Sequence, residues 1–537
     1  MSNTKETVTD VVGKCKKLKV ASIVLNVIFL MATIIFNGFM YRWISANDYL
    51  AVQYLGYKKL IFAESVLLLI FFIAVALKGG KKRYIFSIVI SVIMIIALIA
   101  GSILEVIYHN KIVNVFNKAD KTLDTIVEQS KLSTDEYGFY VLKDNKAESL
   151  ADIKDYSIGI SQTYPKEDLQ VIEDAFEKEV SQKMEKQDFK DPMEMAKRLL
   201  ENEETKVLVL NNAMIELIEN AGDDDNDDKK NGEYADFSSK IRCIYTVSVK
   251  NAVKTRSNEK KVTSECFTVY VSGIDVEGDI TTKSRSDVNI IMTINPVTHQ
   301  VLLVSTPRDY YVPLSISGGS CDKLTHAGNY GIDVSIDTLE QLYGIEIDYF
   351  VRMNFTGFVN IIDALGGIDL DSDYTFYTHG CQFYEGLNED VPGDKAIWFA
   401  RERHSFADGD RQRGKNQMKV IESVIKKCMS PTLLKRYDDI MNSVAESFQT
   451  NMGKGDIRAL VNFQVDESPK WKIQTYSVSG TGGKATTYSV PNAYAYVMYP
   501  DEESVNTAKA FMDDMNHNKK IKVPKDDDEE SEETSEE

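Results

Sequence analysis

Three long apolar runs open the chain. Val20 to Tyr41 and Tyr84 to Leu104 carry no charge, and Leu60 to Leu77 is interrupted only by Glu64. About 20 apolar residues cross the hydrocarbon core of a bilayer, so each run predicts a membrane-spanning helix. A cleaved signal peptide fits poorly, because the first run is too long and two more follow it. Glu64 lies close to the start of its run, which favours an interfacial position over a function within the membrane. Beyond Leu104 the pattern changes to short runs between polar turns. Tyr140 to Leu142, Tyr156 to Ile160 and Val207 to Leu210 read as strands, Lys166 to Lys186 and Pro192 to Leu200 as helices. Asp223 to Gly232 reads as a surface loop, and Ile241 to Val253 alternates as a further strand. Strands alternating with helices predict an α/β unit.

A second unit begins near Cys266. Phe267 to Asp275 is an apolar strand ending in an acid, and Asp287 to Asn295 and Gln300 to Thr306 form a hairpin pattern around Pro296 to His299. These strands are apolar almost throughout, which predicts a sheet covered on both faces. Helices are predicted at Val334 to Tyr343 and Thr356 to Leu365, each closed by glycine, with a strand at Ile347 to Phe355 between them. Gln412 to Met429 carries Ile421, Val424, Ile425 and Cys428 at helical spacing. A strand near Trp471 to Val478 and a helix near Ser504 to Met515 complete the unit.

Basic residues orient the membrane part. Lys14, Lys16, Lys17 and Lys19 precede the first run, and Lys78, Lys81, Lys82 and Arg83 fill the second loop, against Arg42, Lys58 and Lys59 in the first loop. The N-terminus and second loop then face the cytoplasm, and everything after about Glu105 lies outside. The 537 residues are 43% apolar, which excludes a disordered chain and leaves room for about three units. A net charge of −19 argues against a nucleic-acid binder. Most of the excess sits in two runs, Asp223 to Asp228 and the tail from Lys525 to Glu537, which read as solvated segments. Five of the six cysteines fall in the outer part, where disulfides are permitted. The pairings Cys243–Cys266 and Cys321–Cys381 stand open beside free buried thiols, and no spacing indicates zinc.

The candidate chemistry gathers where the apolar strands end. Asp275 closes one strand, Arg285, Ser286 and Asp287 open the next, and Pro307, Arg308 and Asp309 follow the third. Such groups are costly to bury unpaired, so they imply an ion-pair network or a ligand. Lys395 to Arg403, KAIWFARER, taken as a strand, places Ile397, Phe399, Arg401 and Arg403 on one face. Two guanidinium groups above an apolar strip suit an amphiphile with an anionic head and a greasy tail. After a turn at Asp408 to Asp410, Arg413 and Gln417 share a helical face that continues into Ile421. Arginine forks suit phosphate oxygens, and paired carboxylates suit Mg²⁺ bridging phosphates. No P-loop and no Ser/His/Asp arrangement competes. Single Arg–Asp pairs are commonly structural, and it is their joint appearance in one external unit that points to a phosphate site.

Three stretches together resemble the LytR-CpsA-Psr family, closest to its CpsA-like members. They are VSGIDVEGDITTKSRSDVNIIMTINPVTHQVLLVSTPRDYYVPL (271–314), DKLTHAGNYG (322–331) and WFARERHSFADGDRQRGKNQMKVI (398–421). The resemblance implies an α/β fold with three N-terminal transmembrane helices, an extracytoplasmic α/β accessory domain, and an α/β/α sandwich that holds a prenyl tail between sheet and helices. It implies a Mg²⁺-dependent phosphotransferase at the outer face of a Gram-positive membrane. Such enzymes move a glycopolymer (capsule, teichoic acid or another wall polysaccharide) from a polyprenyl pyrophosphate carrier to peptidoglycan, as a phosphodiester. By motif, Asp275 and Asp287 match the Mg²⁺ acids, and Arg285 and Arg308 match pyrophosphate-binding arginines. Arg401 and Arg403 match the RxR pair, Arg413 and Gln417 the later RxxxQ pair, and Asp410 an acid that orders these arginines. Lys323 falls in a family motif. The expected division is a cytoplasmic N-terminus 1–19, three spans within 20–107, the accessory domain 108–265, the catalytic domain 266–516 and an acidic disordered tail 517–537. The acceptor hydroxyl needs a base, for which Asp287 and Asp410 both stand open, and water in its place would give pyrophosphatase activity. The partners expected are the lipid-linked glycopolymer, peptidoglycan and membrane lipid, and no nucleic acid. A non-catalytic receptor for lipid-linked polymers would need no metal acids, and a membrane-bound transcriptional regulator conflicts with a folded mass outside the membrane.

Overall fold

The computed structural model describes residues 8–45, 81–93, 96, 99, 121–201, 205–221, 234–254, 260–274, 279–407, 409–430, 436, 439–440, 443 and 447–524. Two compact units form, Met1–Lys118 with Arg458–Ser468, and Ala119–Ile457 with Pro469–Glu537.

In the first unit the apolar run around Val20 to Tyr41 lies within a single helix, Val8–Ser45. Its segment Val12–Gly38 is the one stretch among the described residues long and apolar enough to cross a membrane. The run Leu60 to Leu77, with Glu64, lies outside the described residues, and the third run is described as helical over residues 84–93. Ser22 Oγ donates to Ser87 Oγ at 2.8 Å, and Asn26 Nδ2 donates to Ser87 Oγ at 3.1 Å. Ser91 Oγ donates to Asn26 Oδ1 at 3.0 Å. These small polar groups, buried between two apolar helices, join them where apolar side chains alone give no preference of face.

Among the described residues, the second unit contains two large sheets, of five and six strands, and four two-stranded ones. The first is built from β1 (Leu132–Leu142), β2 (Ile158–Ser161), β3 (Lys186–Phe189), β4 (Val207–Asn211) and β5 (Ile241–Ala252), in the order β3-β2-β4-β1-β5. Successive side chains of a strand point to opposite faces. Val207 and Val209 accordingly join Phe139 and Val141 in a core under the helix Lys166–Val180. Leu208 and Leu210 join Tyr140 in a second core under the helix Pro192–Glu201. That double covering is why β4 is apolar throughout. The helix Asn212–Glu219 starts directly after β4, with Asn211 Oδ1 accepting from the Ala213 N–H.

The second sheet has six strands. β6 (Phe267–Ile274), β7 (Ser286–Asn295) and β8 (Gln300–Ser305) form its antiparallel centre. Tyr349–Asn354 runs parallel beside β6, with Phe448–Thr450 beyond it, and Lys472–Ser477 runs parallel beside β8. The β7–β8 turn forms as expected, with Asn295 Oδ1 accepting from the N–H groups of Val297 and Thr298. Tyr270, Ile291, Leu302 and Val304 face the helices Ile332–Tyr343 and Glu502–Asn516. Val271, Ile290, Val301 and Leu303 face the helix Asp410–Cys428 through Met418. Helices thus cover both faces. The glycines predicted to close two helices do so, Gly344 at φ 63° and Gly366 at φ 84°, a left-handed conformation that favours glycine.

One reading of an element is corrected. Residues 395–403 do not form a strand: Gly393–Arg401 is a helix that starts after Pro392. Ala396, Phe399 and Ala400 follow helical spacing and pack with Phe376 and Phe383, so the apolar positions serve a core at period 3.6 rather than 2. Of the alternatives left open for the cysteines, the structure shows free thiols: all six are unpaired.

Candidate active site

A cavity of about 390 Å³ opens where β6, β7 and β8 meet the helices Gly393–Arg401 and Asp410–Cys428. Part of its lining is apolar, made by Val271, Val288, Phe355, Phe358, Ile397 and Ile421. The same lining includes all five arginines singled out above, Arg285, Arg308, Arg401, Arg403 and Arg413, with Asp287, Glu402 and Gln417. Each arrives for a local reason. Arg285 and Asp287 flank the first residue of β7, and Arg308 follows β8 at the same sheet edge. Arg413, Gln417 and Ile421 recur at four-residue steps along one helical face, as expected. Arg401 lies four residues after Ile397, so the helix brings both to the cavity while Phe399, on another side, is fully buried in the core. Of the two residues expected to meet the substrate's tail, Ile397 lines the cavity and Phe399 does not.

The arginines are held. Arg308 Nη1 donates to Asp287 Oδ1 at 3.2 Å. Asp309 lies 3.6 Å from Arg308 Nε and 3.1 Å from Lys323 Nζ. Burial would raise the Asp309 carboxyl, but Lys323 and Arg308 beside it prevail and hold it below the usual carboxylate range. Lys323, expected at the substrate, does not line the cavity and instead supports Asp309 behind Arg308. The Arg401 guanidinium lies 4.5 Å from the centre of the Phe355 ring and 5.6 Å from that of Trp398, within cation–π range. Trp398 stacks on His379 with centroids 3.8 Å apart. Arg403 Nε donates to His404 Nε2 at 3.2 Å. Glu402 ends the helix; burial pushes its carboxyl up, but bonds from the Thr378 hydroxyl and from Ser405 outweigh this and keep it below its usual range.

Asp275 lies outside the described residues, as does the side chain of Asp410, whose backbone opens the helix Asp410–Cys428. Ile274, the residue before Asp275, pairs with Ser286, the residue before Asp287. Asp287 Oδ1 also accepts from Thr325 Oγ1 at 3.4 Å. No group of three or more metal-ligating side chains occurs among the described residues. A carboxylate on the wall of an arginine-lined cavity nevertheless fits Mg²⁺, which binds through one or two carboxylates plus substrate phosphates and water. Thr325, Trp398 and His379 were not singled out from sequence. Thr325 lies in the DKLTHAGNYG stretch, but its contact with Asp287 spans 38 residues and has no local signal.

Residues 238–512, just over half of the chain, match the profile of the LytR_cpsA_psr family. The chain belongs to this family. Among curated relatives, the polyisoprenyl-teichoic acid–peptidoglycan teichoic acid transferase TagU of Bacillus mycoides is 32% identical over 251 residues, 45% of this chain and 79% of the relative. The protein of the same name from Halalkalibacterium halodurans is 31% identical over 239 residues, 44% of this chain and 75% of the relative. The crystal structure of B. subtilis TagU aligns with 27% identity and a TM-score of 0.38, covering 49% of this chain and 100% of that one. Within the family match lie all the described residues that line the cavity.

Proposed function

We propose that this LytR_cpsA_psr protein transfers a glycopolymer from a polyprenyl pyrophosphate carrier to peptidoglycan, with a phosphodiester as the new bond. The cavity carries the reading: five arginines and a set of apolar side chains line one space, which suits a ligand with a doubly charged phosphate head and a long hydrocarbon tail. The relatives' names point the same way. In the reaction a sugar hydroxyl oxygen attacks the phosphorus nearer the glycopolymer. The bond from that phosphorus to the bridging oxygen breaks, and polyprenyl phosphate leaves with the electron pair. Arg285, Arg308, Arg401, Arg403 and Arg413 stabilise the charge that grows on the leaving phosphate, and Gln417 donates to the same head group. The hydroxyl proton passes to a carboxylate, Asp287 or Asp410. Asp287, together with Asp275, would hold Mg²⁺, which supplies further neutralisation of the phosphate charge. Water in place of the sugar gives pyrophosphate hydrolysis as a side reaction.

The membrane arrangement belongs to the same proposal: a CpsA-like, multi-pass protein with spans within 20–107, an accessory α/β domain 108–265, a catalytic domain 266–516 outside the cell and an acidic tail 517–537. Capsule polysaccharide and teichoic acid both fit as the polymer. The lysines before Val20 and around the second loop support the orientation, and the apolar part of the lining supports a donor drawn from membrane lipid. Deleting the gene and analysing the sugars of purified wall tests the function. One wall polymer is expected to disappear from the wall and collect in the medium. An unchanged wall would overturn the proposal.

A further inference from the structure

The loop from β6 to β7 delivers Arg285 to the cavity, and it is gripped on three sides. Arg352, buried in the strand Tyr349–Asn354, donates to the carbonyl oxygens of Ile280 and Thr282, each at 2.8 Å. Gly328 packs so closely that a Cβ there would lie 2.4 Å from the Ser284 carbonyl oxygen and 2.9 Å from the Ser286 nitrogen. This gives the glycine of the AGNY stretch a reason: the loop backbone needs its space. The third side is the five-stranded sheet. The Thr134 N–H in β1 donates to the Thr281 carbonyl at 2.8 Å, and the Thr134 carbonyl accepts from the Lys283 N–H at 2.9 Å. Lys283 Nζ reaches the buried Asp135 carboxylate at 2.6 Å. Asp135 Oδ1 also accepts from Asn211 Nδ2 at 2.9 Å. Asn211 in turn caps the helix Asn212–Glu219, and Glu216 of that helix pairs with the Arg285 guanidinium.

We propose that Glu216 is a positioning residue for the transfer reaction, holding the Arg285 guanidinium at the cavity wall, with the five-stranded sheet as the mount that fixes it there. The inference rests on the reading of Arg285 as a phosphate-binding group. One buried carboxylate, Asp135, ties down both the loop and the cap of the helix that bears Glu216, so the two partners of the pair share an anchor. Glu216 meets Arg285 through Nη2, and guanidinium has five N–H donors, which leaves others for phosphate oxygens. The Glu216 side chain is 50% exposed, so the pair contributes little to folding. Its effect is orientation, and a displaced catalytic group loses rate steeply.

The test uses the full-length protein in detergent with Mg²⁺. Binding of inorganic pyrophosphate is measured by calorimetry, and transfer from a polyprenyl pyrophosphate-linked sugar to peptidoglycan fragments is measured alongside. Glu216→Ala should weaken pyrophosphate binding about tenfold and slow transfer by a similar factor, with the melting temperature unmoved. Glu216→Gln, which keeps an acceptor oxygen, should recover most of both. In an Arg285→Ala background, Glu216→Ala should have no further effect. Charge alone predicts the opposite sign, since removing an acid tightens anion binding. Tighter or unchanged binding in Glu216→Ala, or an equal loss without Arg285, overturns the proposal. Wild-type protein that binds pyrophosphate but transfers nothing contradicts the proposed function instead, and the binding series still decides the role of Glu216.

Discussion

Ile397 and Phe399 are two residues apart and meet different surroundings. Phe399 is fully buried against Phe376 and Phe383, while Ile397 lines the cavity. Phe399→Ala should cost about 3–5 kcal/mol of stability, the range for a buried phenylalanine, and lower the melting temperature accordingly. Ile397→Asp should stay folded and weaken binding of a long-chain donor, because each buried methylene of the tail contributes about 0.8 kcal/mol. Circular dichroism with a lipid-binding titration separates the two, and wild-type affinity in a folded Ile397→Asp protein would remove the tail from this part of the lining. Asp309 gives a prediction in pH. Its carboxyl is held below the usual range, so its stabilisation is fully present above the unfolded value of about 3.9 and is lost as pH falls through the folded value. Stability owed to Asp309 should therefore be flat from neutral pH down to about 4 and decline below that. Asp309→Asn removes the buried carboxylate shared by Arg308 and Lys323, which should cost about 3 kcal/mol at pH 7 and shrink the acid-side decline. Denaturant titrations across pH measure both.

At the scale of elements, the helix Asp410–Cys428 aims Arg413 and Gln417 into the cavity while Met418 and Val420 pack in cores. Arg413→Ala should lower turnover on the order of a hundredfold, the loss typical when one charge-stabilising donor is removed, with helical content unchanged. Loss of the helical signal would show that Arg413 holds the fold rather than the substrate. This helix was legible because Ile421, Val424, Ile425 and Cys428 recur at steps of three and four, which period 2 does not satisfy. β6, β7 and β8 were legible as long apolar runs ended by charges. Lys395 to Arg403 was not, because nine residues with apolar positions at both even and helical spacing satisfy two periods. The burial of Phe399 under Phe376 and Phe383, from a hairpin about twenty residues earlier in the chain, decides between them. The grip on Arg285 was invisible for a related reason: Glu216 and Arg285 are 69 residues apart, Asp135 and Lys283 are 148, and nothing in their neighbourhoods records the contact.

For the whole molecule, the described cavity residues all belong to the second compact unit. A chain beginning at Asn110 should therefore fold and hydrolyse a water-soluble polyprenyl pyrophosphate in Mg²⁺ at a rate within a few fold of the full-length protein. A folded but inert product would bring the residues before Asn110 into the chemistry. The claim that matters most is that the arginine-lined cavity breaks a pyrophosphate bond rather than merely holding a lipid-linked polymer. It is tested most directly by incubating the full-length protein in detergent with Mg²⁺, a donor labelled in both lipid and sugar, and peptidoglycan. The lipid label should emerge as polyprenyl monophosphate in step with sugar label fixed to peptidoglycan through a phosphodiester. Both should stop in EDTA and in Asp287→Ala. A donor that is bound tightly, weakened by Arg→Ala changes around the cavity, and recovered intact would contradict the account and leave a receptor.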